Sequence, residues 1–133
     1  MSLEKDFAGE IFHHALELIE VEKAWTQGFY AKDKNGEDVW GNSPHAVCWC
    51  TVGALLNSVE WLKELYPTHV GEVEQSWQYL YREFESFVTT RWPNYGNLAQ
   101  MNDDLPWNRV MAVWEEFGIK QRYIFDPELP VTE

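Results

Sequence analysis

The side chains with the most obvious chemistry are Cys48 and Cys50, with His45 close by in the run His45-Ala46-Val47-Cys48-Trp49-Cys50. A thiol beside an imidazole serves as a nucleophile once its pKa is depressed, commonly by a helix N-terminus or a neighbouring cation. The spacing argues against that role. A helix opening at Ser43-Pro44 would place Cys50 about two turns in, beyond the reach of the helix dipole. Cys50, Gly53, Ala54 and Asn57 would then recur at i, i+3, i+4 and i+7 as a narrow ridge. Such a ridge lets another helix or the Trp25 loop approach closely, so Cys50 reads as a small packing residue. Two positions apart on a helix, Cys48 and Cys50 would also point about 200° apart and not pair.

Metal chemistry is equally incomplete. His45, Cys48 and Cys50 have zinc-ligand character, but structural zinc sites usually assemble from two spaced ligand pairs, and the sequence supplies no second one. Glu10-Ile11-Phe12-His13 matches one Glu-x-x-His arm of a carboxylate-bridged two-metal site, which takes a second arm and two further Glu. His14 and Glu17, three apart, read as a surface pair. The sequence contains no glycine-rich phosphate loop, Gly-x-Ser-x-Gly elbow or His-Glu-x-x-His. Asp103-Asp104 resembles a carboxylate pair, yet before Pro106 it reads as helix capping. No catalytic residue, metal or cofactor is therefore expected, and His69 is expected to be exposed.

The elements that would position these residues are mainly helical. Ser2 to Glu22 carries Phe7, Ala8, Ile11, Phe12, Ala15, Leu16, Leu18 and Ile19 at helical spacing, with Ser2 or Asp6 as cap. Asn35-Gly36 marks a tight turn, since both residues tolerate positive φ, and its flanks suit a short hairpin or ordered loop. Ser43-Pro44 has the chemistry of a helix start, and that helix should end at Leu65, before Tyr66-Pro67. Thr68 can cap a third helix whose face is Val73, Trp77, Leu80, Tyr81, Phe84, Phe87 and Val88, and Trp92-Pro93 ends it. Asn94 to Asn97 reads as loop. A fourth helix should open at Pro106 with Asp104 as cap, bury Val110, Val113, Trp114 and Phe117, and stop at Gly118. The expected fold is mainly α: about four helices packed as a small bundle, with a short β-ribbon or ordered loop between the first two. Residues 1–118 would form one helical domain, and 119–133 a tail packing partly on it through Tyr123, Ile124 and Phe125.

Eight Trp, seven Phe and six Tyr in 133 residues exceed what an average core needs, so part of this aromatic surface is free to line a groove or interface. With 22 acidic against 10 basic side chains the formal charge is −12. That field disfavours nucleic-acid phosphates and anionic membranes and suits a basic protein partner. No apolar run approaches a membrane span, and the acidic start lacks a signal peptide's basic and apolar regions. A cytoplasmic protein with reduced thiols is expected.

The chain resembles a family of small, uncharacterised bacterial and phage proteins with the pattern Gly-Trp-x-x-Gly, Ala-x-Asp-x-x-Gly, Ala-x-x-Trp-Cys-x-x-Gly-Ala-Leu and a later Trp-Asn-Asp. The matching residues are Trp25, Gly28, Ala31, Asp33, Gly36, Ala46, Trp49, Cys50, Gly53, Ala54 and Leu55, then Asn102 and Asp103. Ala24 and Met101 depart from it, and the segment between the third and fourth helices is longer than the pattern's. The resemblance spans roughly Phe7 to Phe117. It implies no reaction, and it implies a phage or mobile-element origin only loosely. Because separate stretches match one pattern, Trp25, Gln27, Trp49, Cys50, Asn102 and Asp103 are the candidate binding residues. The leading expectation is a non-enzymatic, acidic protein-interaction or regulatory module. The alternative is a small-molecule-binding domain or enzyme with a pocket near Trp25, Trp49, Cys50 and Asp103.

Overall fold

A computed structural model describes residues 7–125 of the protein. The apolar stripe of the first segment forms α1 (Ala8–Ile19), which buries Ala8, Ile11, Phe12, Ala15 and Ile19. Ser2 and Asp6 lie outside the described residues. Phe7 occupies the cap position, and its N–H donates to Ser76 Oγ at 3.1 Å, tying the start of α1 to a later helix. After a 3-10 turn at Glu22–Ala24 come β1 (Ala31–Lys32), β2 (Asp38–Val39) and β3 (Cys48–Trp49).

The strands form one antiparallel sheet in the order β2-β1-β3, with Ala31 opposite both Val39 and Trp49. Asn35-Gly36 makes the hairpin turn as expected. Gly36 has φ of +80°, and Asp33 Oδ1 accepts from the N–H groups of Asn35 and Glu37. The third strand was not foreseen, and it displaces the next helix.

Ser43 does use its capping chemistry, its Oγ accepting from His45 N–H, but it closes only a turn. Val47 N–H instead donates to Lys32 O, and Cys50 N–H to Tyr30 O, holding the backbone extended through β3. The helix α2 therefore runs Thr51–Leu65, with Cys50 as its N-cap. It ends before Tyr66-Pro67, where the residue ahead of a proline is pushed out of the helical region. The long helix α3 (Val70–Arg91) follows, capped at His69 and not Thr68, and stops at Trp92.

A short helix, α4 (Leu98–Asp104), stands where loop and capping residues were expected. Asp103 and Asp104 are its last two residues and not the cap of the next. That next helix, α5 (Trp107–Lys120), has Pro106 at its N-cap position. The count is thus five α-helices among the described residues, and not four. The buried face of α5 is Val110, Val113, Trp114 and Phe117, as its spacing requires. Gly118 does not end it. It lies inside the helix, at a point where a Cβ would come within 2.8 Å of Ile124 and Phe12.

The core is an aromatic stack between α1, α3 and α5. Phe84 and Phe117 lie parallel with centroids 4.2 Å apart, and Trp114 meets Phe84 edge-on at 5.2 Å. Tyr123 folds back onto Phe12 at 5.2 Å and Ile124 packs on the core, whereas Phe125 is exposed. No helix among the described residues is long and apolar enough to cross a membrane.

Candidate functional site

Two consequences follow from Cys50 lying directly after β3 and capping α2. Its Sγ accepts a hydrogen bond from Gly53 N–H at 3.3 Å. Cys48 and Cys50 also sit in extended chain, where residues two apart share a side, so the opposed directions expected on a helix do not hold. Both thiols are free, and Cys50 is buried. Burial pushes the Cys50 thiol up to about 11, a rise only partly countered by the backbone N–H groups of Gly53 and Val52. It stays protonated at neutral pH. The close approach inferred for the small-residue ridge is real, since a Cβ on Gly53 would lie 1.8 Å from the Tyr30 carbonyl oxygen.

Asn102 ties the separate stretches together. It is fully buried, and its Oδ1 accepts from Trp25 Nε1 at 2.8 Å and from Thr51 N and Thr51 Oγ1, both at 2.9 Å. Its Nδ2 donates to Thr26 O at 3.0 Å. The amide orientation follows from chemistry, because Thr51 N–H can only donate and a carbonyl can only accept. Thr51 Oγ1 in turn accepts from Trp114 Nε1 at 3.2 Å, linking the knot to the core.

The loop beside Trp25 clamps α4 from outside. Gln27 Nε2 donates to the carbonyls of Asn102, Asp103 and Leu105, satisfying orphan groups at the helix C-terminus, while Asn97 Oδ1 caps its N-terminus. Gly28, at φ +85°, turns its N–H onto Asp103 Oδ1 at 2.9 Å. Trp49 pairs with Trp25 in a backbone bridge and donates its indole N–H to Gly41 O. All six candidate residues thus meet in one region. Four of them, Trp25, Gln27, Trp49 and Asn102, form the framework, while Cys50 and Asp103 line an open cleft.

That cleft has a volume of about 560 Å³ and is bounded by Gly28 to Tyr30, Asp38 to Trp40, Cys50, Ala99 and Asp103. The sheet register builds its floor. Ala31 opposite Val39 and Trp49 places Tyr30 between Trp40 and Cys50 one step beyond the ladder. Tyr30 and Trp40 stack with centroids 6.0 Å apart. Phe29, Tyr30 and Trp40 are 45%, 43% and 70% exposed, unlike the aromatics of the core. Asp38 and Asp103 add carboxylates, and Lys32 Nζ lies 5.0 Å from the centre of the Phe29 ring.

Phe29, Tyr30, Asp38 and Trp40 were not among the candidates. The observed register, Ala31 opposite Val39, sets Tyr30 against Trp40, whereas a two-residue loop at Asn35-Gly36 would have set Ala31 against Trp40. Nothing in the local sequence marked Thr51. Elsewhere, His14 feels the charge of Glu17, which opposes the effect of its burial. Its Nδ1 contacts Ser58 Oγ at 2.7 Å and its ring stacks on Trp61 at 4.1 Å, and burial lowers its pKa. His69 is exposed and meets Glu72. No three His, Cys, Asp or Glu side chains among the described residues are grouped to hold a metal ion.

A family model described as a family of unknown function, DUF6197, matches residues 6–116. The chain belongs to this family. The match encloses the Trp25 loop, the β3–α2 junction, the cleft and α4, and it accords with the resemblance to uncharacterised proteins. No curated protein and no solved structure matches the chain.

Proposed function

We propose that the protein is a non-enzymatic interaction module that docks a basic segment of a protein partner in the acidic, aromatic cleft over Cys50. The observation that carries this reading is the group of exposed Phe29, Tyr30 and Trp40 beside Asp38 and Asp103. Monomer cores hide such rings, whereas interfaces are enriched in them. The carboxylates and the formal charge of −12 favour a cationic occupant. Cys50, protonated and bonded as an acceptor, adds no nucleophile. The same acid excess repels nucleic-acid phosphates and anionic lipid. The module is assigned to the cytoplasm, and a phage–host setting suits an acidic binder of basic proteins.

A second reading places a small molecule in the cleft, favoured by a volume of about 560 Å³, within the usual range of ligand sites. A Lys/Arg-rich peptide titrated at several salt concentrations separates the two. Affinity should fall steeply with salt, as exposed charges are screened, and about tenfold in Trp40→Ala, the loss of one cation–ring contact. A flat salt response, or an unaffected Trp40→Ala, would overturn it.

A further inference from the structure

We infer that the cleft anchors one arginine side chain of the basic partner, its guanidinium laid flat on the Trp40 ring with its rim toward Asp38 and Asp103. This rests on the docking site proposed above and names the group that enters it. Trp40, 70% exposed, offers the most open ring in the cleft. Tyr30 stacks on it with the planes 22° apart and the centroids 6.0 Å apart, which steadies its orientation. The carboxylates beside them are open. Asp103 Oδ1 is engaged by Gly28 N–H at 2.9 Å and Asn102 Nδ2 at 3.3 Å, but its Oδ2 receives no hydrogen bond among the described residues. The Asp38 carboxylate has neither a hydrogen bond nor an ion pair among those residues. Asp38 stands opposite Lys32 in the β1–β2 ladder, yet the Lys32 ammonium lies 5.0 Å from the Phe29 ring centre and makes no ion pair with it.

The nature of the cation follows from an open ring face lying beside open carboxylates. A guanidinium is planar, and its five N–H donors lie in that plane. Stacked on Trp40, it keeps every donor at its rim, free to meet a carboxylate or water, so the ring contact and the carboxylate contacts add. An ammonium is tetrahedral and strongly hydrated. Pressed on a ring face, it turns a donor away from any strong acceptor and gives up water there. Asp38, with both oxygens open, can take the two-point fork that only a guanidinium presents, and Asp103 Oδ2 offers one further acceptor. Asp38 and Asp103 against Lys32 leave one net negative charge, which a single arginine neutralises.

The test compares four probes with the full-length chain by calorimetry and by the NMR shift of the Trp40 indole N–H. They are a lysine-flanked peptide with one central arginine, the same peptide with lysine there, the same with citrulline, which keeps the planar shape without the charge, and free arginine amide. The arginine peptide should bind about fivefold more tightly than either other peptide, the scale of one cation–ring contact, and more tightly than arginine amide, and it should shift the Trp40 indole. Trp40→Ala should bring the arginine and lysine peptides level. Asp38→Asn should weaken the arginine peptide about two- to fivefold, the scale of an exposed ion pair, and the lysine peptide less. Trp40 and Asp38 are both exposed, so neither substitution endangers folding. Lysine binding as tightly as arginine overturns the inference while leaving the basic-partner reading intact. Citrulline binding as tightly as arginine, or an arginine preference untouched by Asp38→Asn, overturns the carboxylate contact and the inference with it. Tighter binding of arginine amide overturns the protein source. Failure of every peptide to shift Trp40 overturns both the inference and the docking site.

Discussion

Replacing Asn102 by alanine should be among the most damaging single changes outside the aromatic core. The side chain is fully buried and serves three partners besides its neighbour Asp103. Of the groups orphaned by Asn102→Ala, Trp25 Nε1 belongs to a half-buried residue and can recover water, but Thr51 N–H and Thr26 C=O are buried. Each buried group left unpaired costs about 1–3 kcal/mol, so the expected loss is about 2–6 kcal/mol. Thr51→Val removes the hydroxyl that bridges Asn102 to Trp114 Nε1 and should cost about 1–3 kcal/mol on the same basis. Because both changes dismantle one network, the double variant should cost less than the sum, by roughly 1 kcal/mol. Urea unfolding followed by tryptophan fluorescence, with all four proteins at one pH, measures the cycle. A loss below about 0.5 kcal/mol for Asn102→Ala, the usual size of a neutral surface change, would refute the reasoning. Strict additivity would show that Asn102 and Thr51 act independently.

Gly53→Ala should destabilise by about 3 kcal/mol or more, because its Cβ would meet the Tyr30 carbonyl at 1.8 Å and force β1 away from the helix start; a thermal midpoint within a degree or two of wild type would contradict this. Cys50→Ser should be nearly neutral and Cys50→Ala worse by about 1 kcal/mol, since serine is a favoured N-cap that can accept from Gly53 N–H. A buried hydroxyl two turns into a helix would give the reverse order, so chemical denaturation of the two variants tests where the helix begins. With its folded pKa raised from 9.0 to about 11, the Cys50 thiol contributes stability that is whole below pH 9 and lost as pH rises toward 11. In that window the wild type should lose about 2–3 kcal/mol more than Cys50→Ser, and identical alkaline profiles would count against the buried, protonated thiol. Alkylation of Cys50 by iodoacetamide should likewise be slow at neutral pH until the protein unfolds.

Local physics made much of this fold legible in the sequence. The apolar stripes of α1, α3 and α5 follow from helical periodicity, the hairpin from the positive φ at Gly36, and the end of α2 from the proline after Tyr66. Convergence of Trp25, Trp49, Cys50, Asn102 and Asp103 was suggested by the shared pattern, but its geometry was not. Tertiary structure decided the rest. Ser43-Pro44 carries real helix-start chemistry, yet Val47 N–H and Cys50 N–H are claimed by carbonyls of Lys32 and Tyr30, so the chain stays extended and the thiol becomes a cap. The seven-residue helix α4 is too short for its periodicity to announce it, and part of its capping comes from Gln27 on a distant loop. Asn102 satisfies groups 51 and 77 residues away. Propensity and periodicity act over a turn or two of chain, whereas a strand partner, a distant cap and a buried hydrogen-bond knot exist only once the chain has folded back on itself.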